Sequence, residues 1–170
     1  AEAMQPLGDV TVVAPVENQS ASGHQKTMHK PLRIDPVPFP VEGVEAFAVG
    51  ASPADSVAVA LLGFIEKPVD LVVSGINRGP NQGHDLTYSG TVSAALEAII
   101  FHTPAIAFSL DARESSADYS TAAAVARQVV EQELYKTMPP FTILNVNIPA
   151  VPLDQIEGYR VVKQGLRQYN

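Results

Sequence analysis

Cysteine is absent from all 170 residues. That excludes disulfides, thiolate metal sites and a cysteine nucleophile at once, and is compatible with a reducing cytoplasm. Basic residues are scarce: 11 Lys and Arg stand against 18 Asp and Glu, for a formal charge of −7. They are scattered singly, which makes a long polyanion such as duplex DNA an unfavourable partner. A small phosphorylated ligand needs no basic patch, because backbone N–H groups and a metal can hold it. No run of about eighteen uncharged apolar residues occurs, so no membrane span is expected. The opening AEAMQPLGD lacks the basic segment and apolar stretch of a signal peptide. Also missing are G-x-x-x-x-G-K-[ST], G-x-G-x-x-G and G-x-S-x-G, so P-loop hydrolysis, dinucleotide binding and α/β-hydrolase catalysis lack their residues. What remains is phosphate chemistry with a metal.

The pattern that is present centres on DLVVSGINRGPNQGHDLTYSGTVSAALEAIIFHTPAIAFS, residues 70–109. An apolar run at 71–73 ends in Ser74 and Gly75, and a loop rich in Gly and Asn follows. At Ser89, Gly90 and Thr91 a helical pattern begins and runs to Ile100. A second apolar run, 105–108, follows Pro104. Strand, loop, helix and strand make a βαβ unit with parallel strands. Ligands of such sheets bind beyond the carboxyl ends of the strands, where the loops 74–89 and 109–116 belong.

Around this unit, residues 1–7 read as the tail of a helix and 9–14 (DVTVVA) as a buried strand stopped by Pro15. Residues 16–30 form a polar loop too long for a turn, at the carboxyl end of that strand. Prolines at 36, 38 and 40 confine any strand in 31–40 to an edge, and 44–49 is a further strand. Ser52 as N-cap, Pro53 at the first helical position and Asp55 three after the cap predict a helix to about Ile65. A polar loop at 111–116, a helix at 119–134, a strand at 141–147 closed by Pro149 and a pairing tail at 159–164 complete the reading. With no internal repeat and no low-complexity linker, residues 1–170 form a single α/β domain. Its abrupt start without an initiator methionine suggests a domain trimmed of its first strand.

Two stretches point to chemistry. In 75–83 (GINRGPNQG) three glycines allow close backbone approach, while Asn77 and Asn81 offer carboxamide oxygens suited to a hard cation or a hydroxyl. Taken alone, the same residues also make an ordinary turn-rich connection. Ser89, Gly90 and Thr91 open a helix, whose unpaired N–H groups and positive dipole end suit an anion at the same mouth. Capping by Ser89 or Thr91 accounts for one of them but not for the glycine between. Ser20 and His24 lie in the loop after the first strand, at the same sheet edge; a surface serine is most often merely solvated. His24, His29, His84 and His102 have no zinc-type spacing. His24 and His84 fall near the site without an assigned role.

These blocks resemble a known family. VVAPVENQSASGH, GASPADSV, DLVVSGINRGPNQGHDLTYSGTVSAALEA and PAIAFSLD are similar, in that order, to the signature blocks of the SurE family, stationary-phase survival proteins that act as metal-dependent 5′/3′-nucleotidases. The resemblance implies a three-layer Rossmann-like α/β fold with a mainly parallel sheet. It also implies one divalent metal ion, Mg²⁺ or Mn²⁺, bound by two aspartates of an NDDG motif, a serine and an asparagine. At matching positions the serine is Ser20 and the asparagine Asn77, and Asn81, Ser89, Gly90 and Thr91 fall in the segments that line the phosphate pocket. The NDDG segment would precede Ala1, no Asp-Asp or Asp-x-Asp pair occurs in the chain, and no catalytic residue is identified in it. The resemblance further implies nucleoside monophosphates as substrates, a cytoplasmic setting, and a homodimer or homotetramer built through a carboxyl-terminal extension beyond Asn170. It predicts an inactive segment of an active enzyme. A non-catalytic anion- or nucleotide-binding module, and a structural subunit paired through its sheet edge, are the readings from other classes.

Overall fold

A computed structural model describes residues 1–112, 114 and 116–166. Six strands are present among them: β1 (Thr11–Pro15), β2 (Ile34–Pro36), β3 (Glu45–Val49), β4 (Val72–Arg78), β5 (Ala105–Asp111) and β6 (Leu144–Pro149). Strand β3 pairs parallel with β1 and antiparallel with β2, so the proline-rich strand takes an edge as expected. Strands β4, β5 and β6 pair in that order, all parallel. The architecture is therefore the expected α/β one, with a refinement. Hydrogen bonds divide the described strands into two three-stranded groups, and β1 and β4 each end one of them.

Strand β5 shows why the layers form. Side chains alternate across a strand, and here Ile106, Phe108 and Leu110 join Val125, Ala126 and Val129 of α3 (Ser120–Glu131) and Ile148 of β6. On the opposite face Ala105 and Ala107 pack against Val92, Ala95, Ala98 and Ile99 of α2 (Gly90–Ile100). One buried strand is thus covered on both faces, which gives three layers. Burying a side chain the size of Phe108 contributes roughly 2–3 kcal/mol. The remaining helix, α1 (Pro53–Val59, continued by a π-helical turn over Ala60–Phe64), packs on α2 and β1. Its start follows the sequence closely. Ser52 Oγ accepts from Asp55 N at 3.0 Å, and the Asp55 carboxylate accepts from Ser52 N at 3.2 Å, a reciprocal capping box with Pro53 inside it.

Several boundaries differ from expectation for local reasons. Residues 2–7 wind as a 3-10 helix with Pro6 inside, which an α-helical bonding pattern would not accommodate. Strand β4 runs on through Gly75 to Arg78, with a register shift between Ser74 and Asn77, so Asn77 ends a strand instead of lying in a loop. Gly75 is required there: its φ is +118°, and a Cβ would stand 2.3 Å from Phe108 O. Helix α3 stops at Glu131, two residues before Glu133 turns left-handed at φ 53°. Strand β6 begins at Leu144, beyond the left-handed Phe141. The tail at 159–164 is not a strand, and Val161 is fully exposed. Within the polar loop 111–116, Arg113 and Ser115 lie outside the described residues. No helix among the described residues is long and apolar enough to cross a membrane.

Candidate functional site

A cavity of about 400 Å³ opens where the loop after β1, the end of β4 and the start of α2 meet. All six residues singled out from the sequence line it: Ser20, Asn77, Asn81, Ser89, Gly90 and Thr91. Glu17, Asn18 and Arg78 join them. The carboxyl ends of β1 and β4 and the start of α2 therefore share one mouth, with the β4 end and the α2 start placed together by the βαβ unit.

Ser20 and Asn77 line this space, and each carries a side-chain oxygen. The Ser20 hydroxyl donates to Asn18 Oδ1 at 2.8 Å, and Ser20 N donates to the same oxygen at 3.1 Å. With its proton taken, the hydroxyl keeps its lone pairs for another partner. Asn77 Nδ2 donates to Gly79 O at 2.8 Å and Arg78 O at 3.2 Å. That orients the carboxamide and leaves Oδ1 as the group on offer. Two neutral oxygen donors suit a hard cation or a hydroxyl. Among the described residues no cluster of three or more His, Cys, Asp or Glu could hold a metal ion.

Asn81 is differently employed. It is 7% exposed, and its Nδ2 donates to Ser109 Oγ on β5 at 2.7 Å. Its backbone N–H donates to Asn147 Oδ1 at 2.8 Å, and its carbonyl accepts from Asn145 Nδ2 and Asn147 Nδ2 at 2.9 and 3.0 Å. The residue is thus fastened to a shelf of β5 and β6 side chains directly behind Asn77. The sequence pass missed Asn145 and Asn147; their i, i+2 spacing on one strand face was the available signal.

At the head of α2, Ser89 Oγ accepts from Val92 N at 3.2 Å and caps the helix. The amides of Gly90 and Thr91, in the first turn, have no acceptor inside the helix. Gly90 has a packing reason: a Cβ there would lie 2.9 Å from Pro53 Cγ and 3.1 Å from Ser22 Oγ. The absence of a side chain lets α1, α2 and the loop after β1 close on one another, and Thr91 faces the cavity beside it.

Neither His24 nor His84 lines the cavity. His24 turns away to the buried Glu97, and His84 lies 3.6 Å from Asp85. Below the loop, Asp55 is 3% exposed and accepts from Thr27 N and Thr27 Oγ1 at 3.0 and 2.8 Å. Burial pushes its carboxyl up, but the hydrogen bonds from Thr27 and Ser52 outweigh burial and hold it below its ordinary 3.8. A second cavity, about 780 Å³, lies by the ends of β5 and β6 and the head of α3, between Asp111, Asp118, Thr121 and Val151. It contains none of the residues singled out from the sequence.

The fold and this mouth define an α/β domain of Rossmann-like type with its site at the strand ends. The solved structure of the SurE protein from Aquifex aeolicus superposes on it with a TM-score of 0.86 at 40% identity, covering 99% of this chain and 66% of that one. The 5′-nucleotidase SurE of Geobacter sulfurreducens is 44% identical over 169 residues, 99% of this chain and 63% of that protein. The 5′-nucleotidase SurE of Heliobacterium modesticaldum is 44% identical over 161 residues, 95% of this chain and 59% of that protein. The model of the family described as Survival protein SurE matches residues 1–170. The chain belongs to the SurE family, and it spans about three fifths of the length of these curated relatives.

Proposed function

We propose that this chain carries the phosphate-holding and neutral-ligand side of a metal-dependent phosphomonoesterase that releases phosphate from nucleoside 5′- and 3′-monophosphates. One observation carries the reading: Ser20, Asn77 and the Ser89–Thr91 helix start share a single cavity, in a chain whose relatives are named 5′-nucleotidases. The amides of Gly90 and Thr91 and the dipole of α2 hold the equatorial oxygens of the phosphoryl group, where charge is concentrated in the transition state. Asn77 Oδ1 and Ser20 Oγ suit a hard divalent ion such as Mg²⁺ or Mn²⁺, and a hydrogen bond donated by each side chain leaves these oxygens as acceptors. When bound, such an ion supplies charge neutralisation and a more acidic water. The chain's own residues bind and orient the ester for attack at the phosphorus.

Both donors are neutral, so the attraction that offsets dehydration of the ion must come from carboxylates elsewhere. The reading assigns these to an aspartate pair upstream of Ala1 in the gene's reading frame. A cytoplasmic setting and a homodimer or homotetramer belong to the same proposal.

The test is phosphate release from a nucleoside monophosphate with Mn²⁺, by the 170-residue chain and by a protein of the relatives' length. We expect turnover only from the longer protein, together with an Asp-Asp pair in the upstream sequence. Turnover by the shorter chain above a metal-free control overturns the division of labour. Phosphate binding without turnover at either length identifies an anion-binding module instead.

A further inference from the structure

Among the described residues two side-chain carboxylates are buried, Asp55 at 3% and Glu97 at 2% exposure. Asp55 closes a capping box, whereas Glu97 has no part in the chemistry above. Glu97 projects from α2 about two turns beyond Thr91. Its Oε2 accepts from His24 Nε2 at 2.7 Å, and its Oε1 accepts from Lys26 Nζ. Both donors come from the loop after β1, 73 and 71 residues away in sequence. Lys26 Nζ also lies 5.7 Å from the centre of the Phe101 ring at the far end of α2.

These contacts belong to a longer seam. Gly23 N donates to Tyr88 O at 3.0 Å, Gln25 O accepts from Ser52 Oγ at 2.8 Å, and Thr27 donates twice to Asp55. From Gly23 to Thr27, then, five successive residues are fastened to α1, α2 or the turn before α2. The segment ahead of them is not. Its bonds are Val16 N to Val49 O, the Ser20 to Asn18 pair and Ser22 N to Gln19 O. Ser20 hangs between β1 and the seam, next to Ala21 in a left-handed conformation at φ 56°.

We propose that Glu97 is a positioning residue: by gripping His24 and Lys26 it fixes the seam, and thereby the place of Ser20 opposite Asn77, without touching a ligand. Glu97 is covered by the very loop that pairs both its oxygens, so its two bonds form only while the loop lies down on α2. An apolar side chain of the same volume would serve the packing equally well or better. What the carboxylate adds is the geometry of the loop. The inference rests on the cavity's arrangement and uses the nucleotidase reading only for its meaning.

Amide hydrogen exchange separates these roles in Glu97→Met and Glu97→Gln. In Glu97→Met, amides of residues 19–26 should exchange at least about tenfold faster while β5 amides keep their protection. Glu97→Gln, which still accepts one hydrogen bond, should fall between that variant and the parent. Because the chain has no cysteine, spin labels at Ser20→Cys and Thr91→Cys report the same thing as a distance. The distribution should be narrow in the parent, broad with Glu97→Met and narrower again with Glu97→Gln. Unchanged loop exchange and an unchanged distribution in Glu97→Met overturn the proposal. So does β5 exchange rising in step with the loop, since Glu97 would then be a residue of the fold as a whole. Should Glu97→Met fail to fold, Lys26→Met, a change at a part-exposed position, is held to the same two readouts. Neither measurement involves catalysis, so a failed nucleotidase assay leaves the outcome intact.

Discussion

The two walls of the cavity are held by opposite chemistry. The wall behind Asn77 is fixed by neutral groups: Asn81 is locked to Ser109 on the buried central strand β5 and to Asn145 and Asn147 on its neighbour β6. The facing wall, which carries the exposed Ser20, packs against Gly90 through Gln19 and Ser22 and is followed by a seam running to two buried carboxylates. Neutral hydrogen bonds on a half-buried shelf respond little to pH, whereas the Asp55 anchor, its carboxyl held below the ordinary value by hydrogen bonds from Thr27 and Ser52, weakens in acid. One wall is therefore a fixed template and the other an attachment whose strength depends on conditions.

The largest test of that contrast is Gly75→Ala. A Cβ at 2.3 Å from Phe108 O, at a φ of +118°, forces β4 away from β5. The expected loss is about 3 kcal/mol or more, read as a lower urea midpoint, with the Asn77 wall displaced. Asn147→Ala comes next. It leaves the buried Asn81 N–H without its acceptor and removes a donor to Asn81 O, which should cost about 2 kcal/mol by urea unfolding.

The charged wall is tested by acid. The folded pKa of Asp55 lies below its unfolded value of 3.8, so over that interval the unfolded chain binds more protons and stability rises with pH. Its contribution is fully present above 3.8 and disappears as pH falls through the folded value. Urea midpoints should drop on that limb, and Asp55→Asn should flatten the drop. A parent and variant with parallel acid limbs would erase the distinction between the walls. The smallest effect is expected from Ser20→Ala. The side chain is exposed and, among the described residues, bonds only to Asn18, so stability should change by less than about 0.5 kcal/mol.

Local rules carried the sequence reading a long way. The spacing of Ser52, Pro53 and Asp55 announced a capping box that the fold contains, and the apolar runs on either side of the Ser89 helix start announced parallel β4 and β5. Asn77 and Thr91 converge as the βαβ unit requires, and Ser20, on the loop after β1 of the other strand group, lines the same cavity. Contacts between distant segments were not legible. His24 could be placed near the site but not on Glu97, and nothing local in Asn145 or Asn147 announces that both will close on Asn81 more than sixty residues earlier. Gly90 shows the reverse case. Its presence was noticed as a sign of anion binding, and its immediate cause is the crowding of Pro53, Ser22 and Gln19 around it.

Strand β5 gives its alternate side chains to both helical layers, and this has a thermal consequence. Neither layer can loosen without disturbing the strand that pairs with Asn77, so on warming that half of the cavity should persist until the domain melts as a unit. The segment bearing Ser20 has no such guarantor. The temperature at which the mouth loses its shape is then set by the seam, below that at which the domain melts.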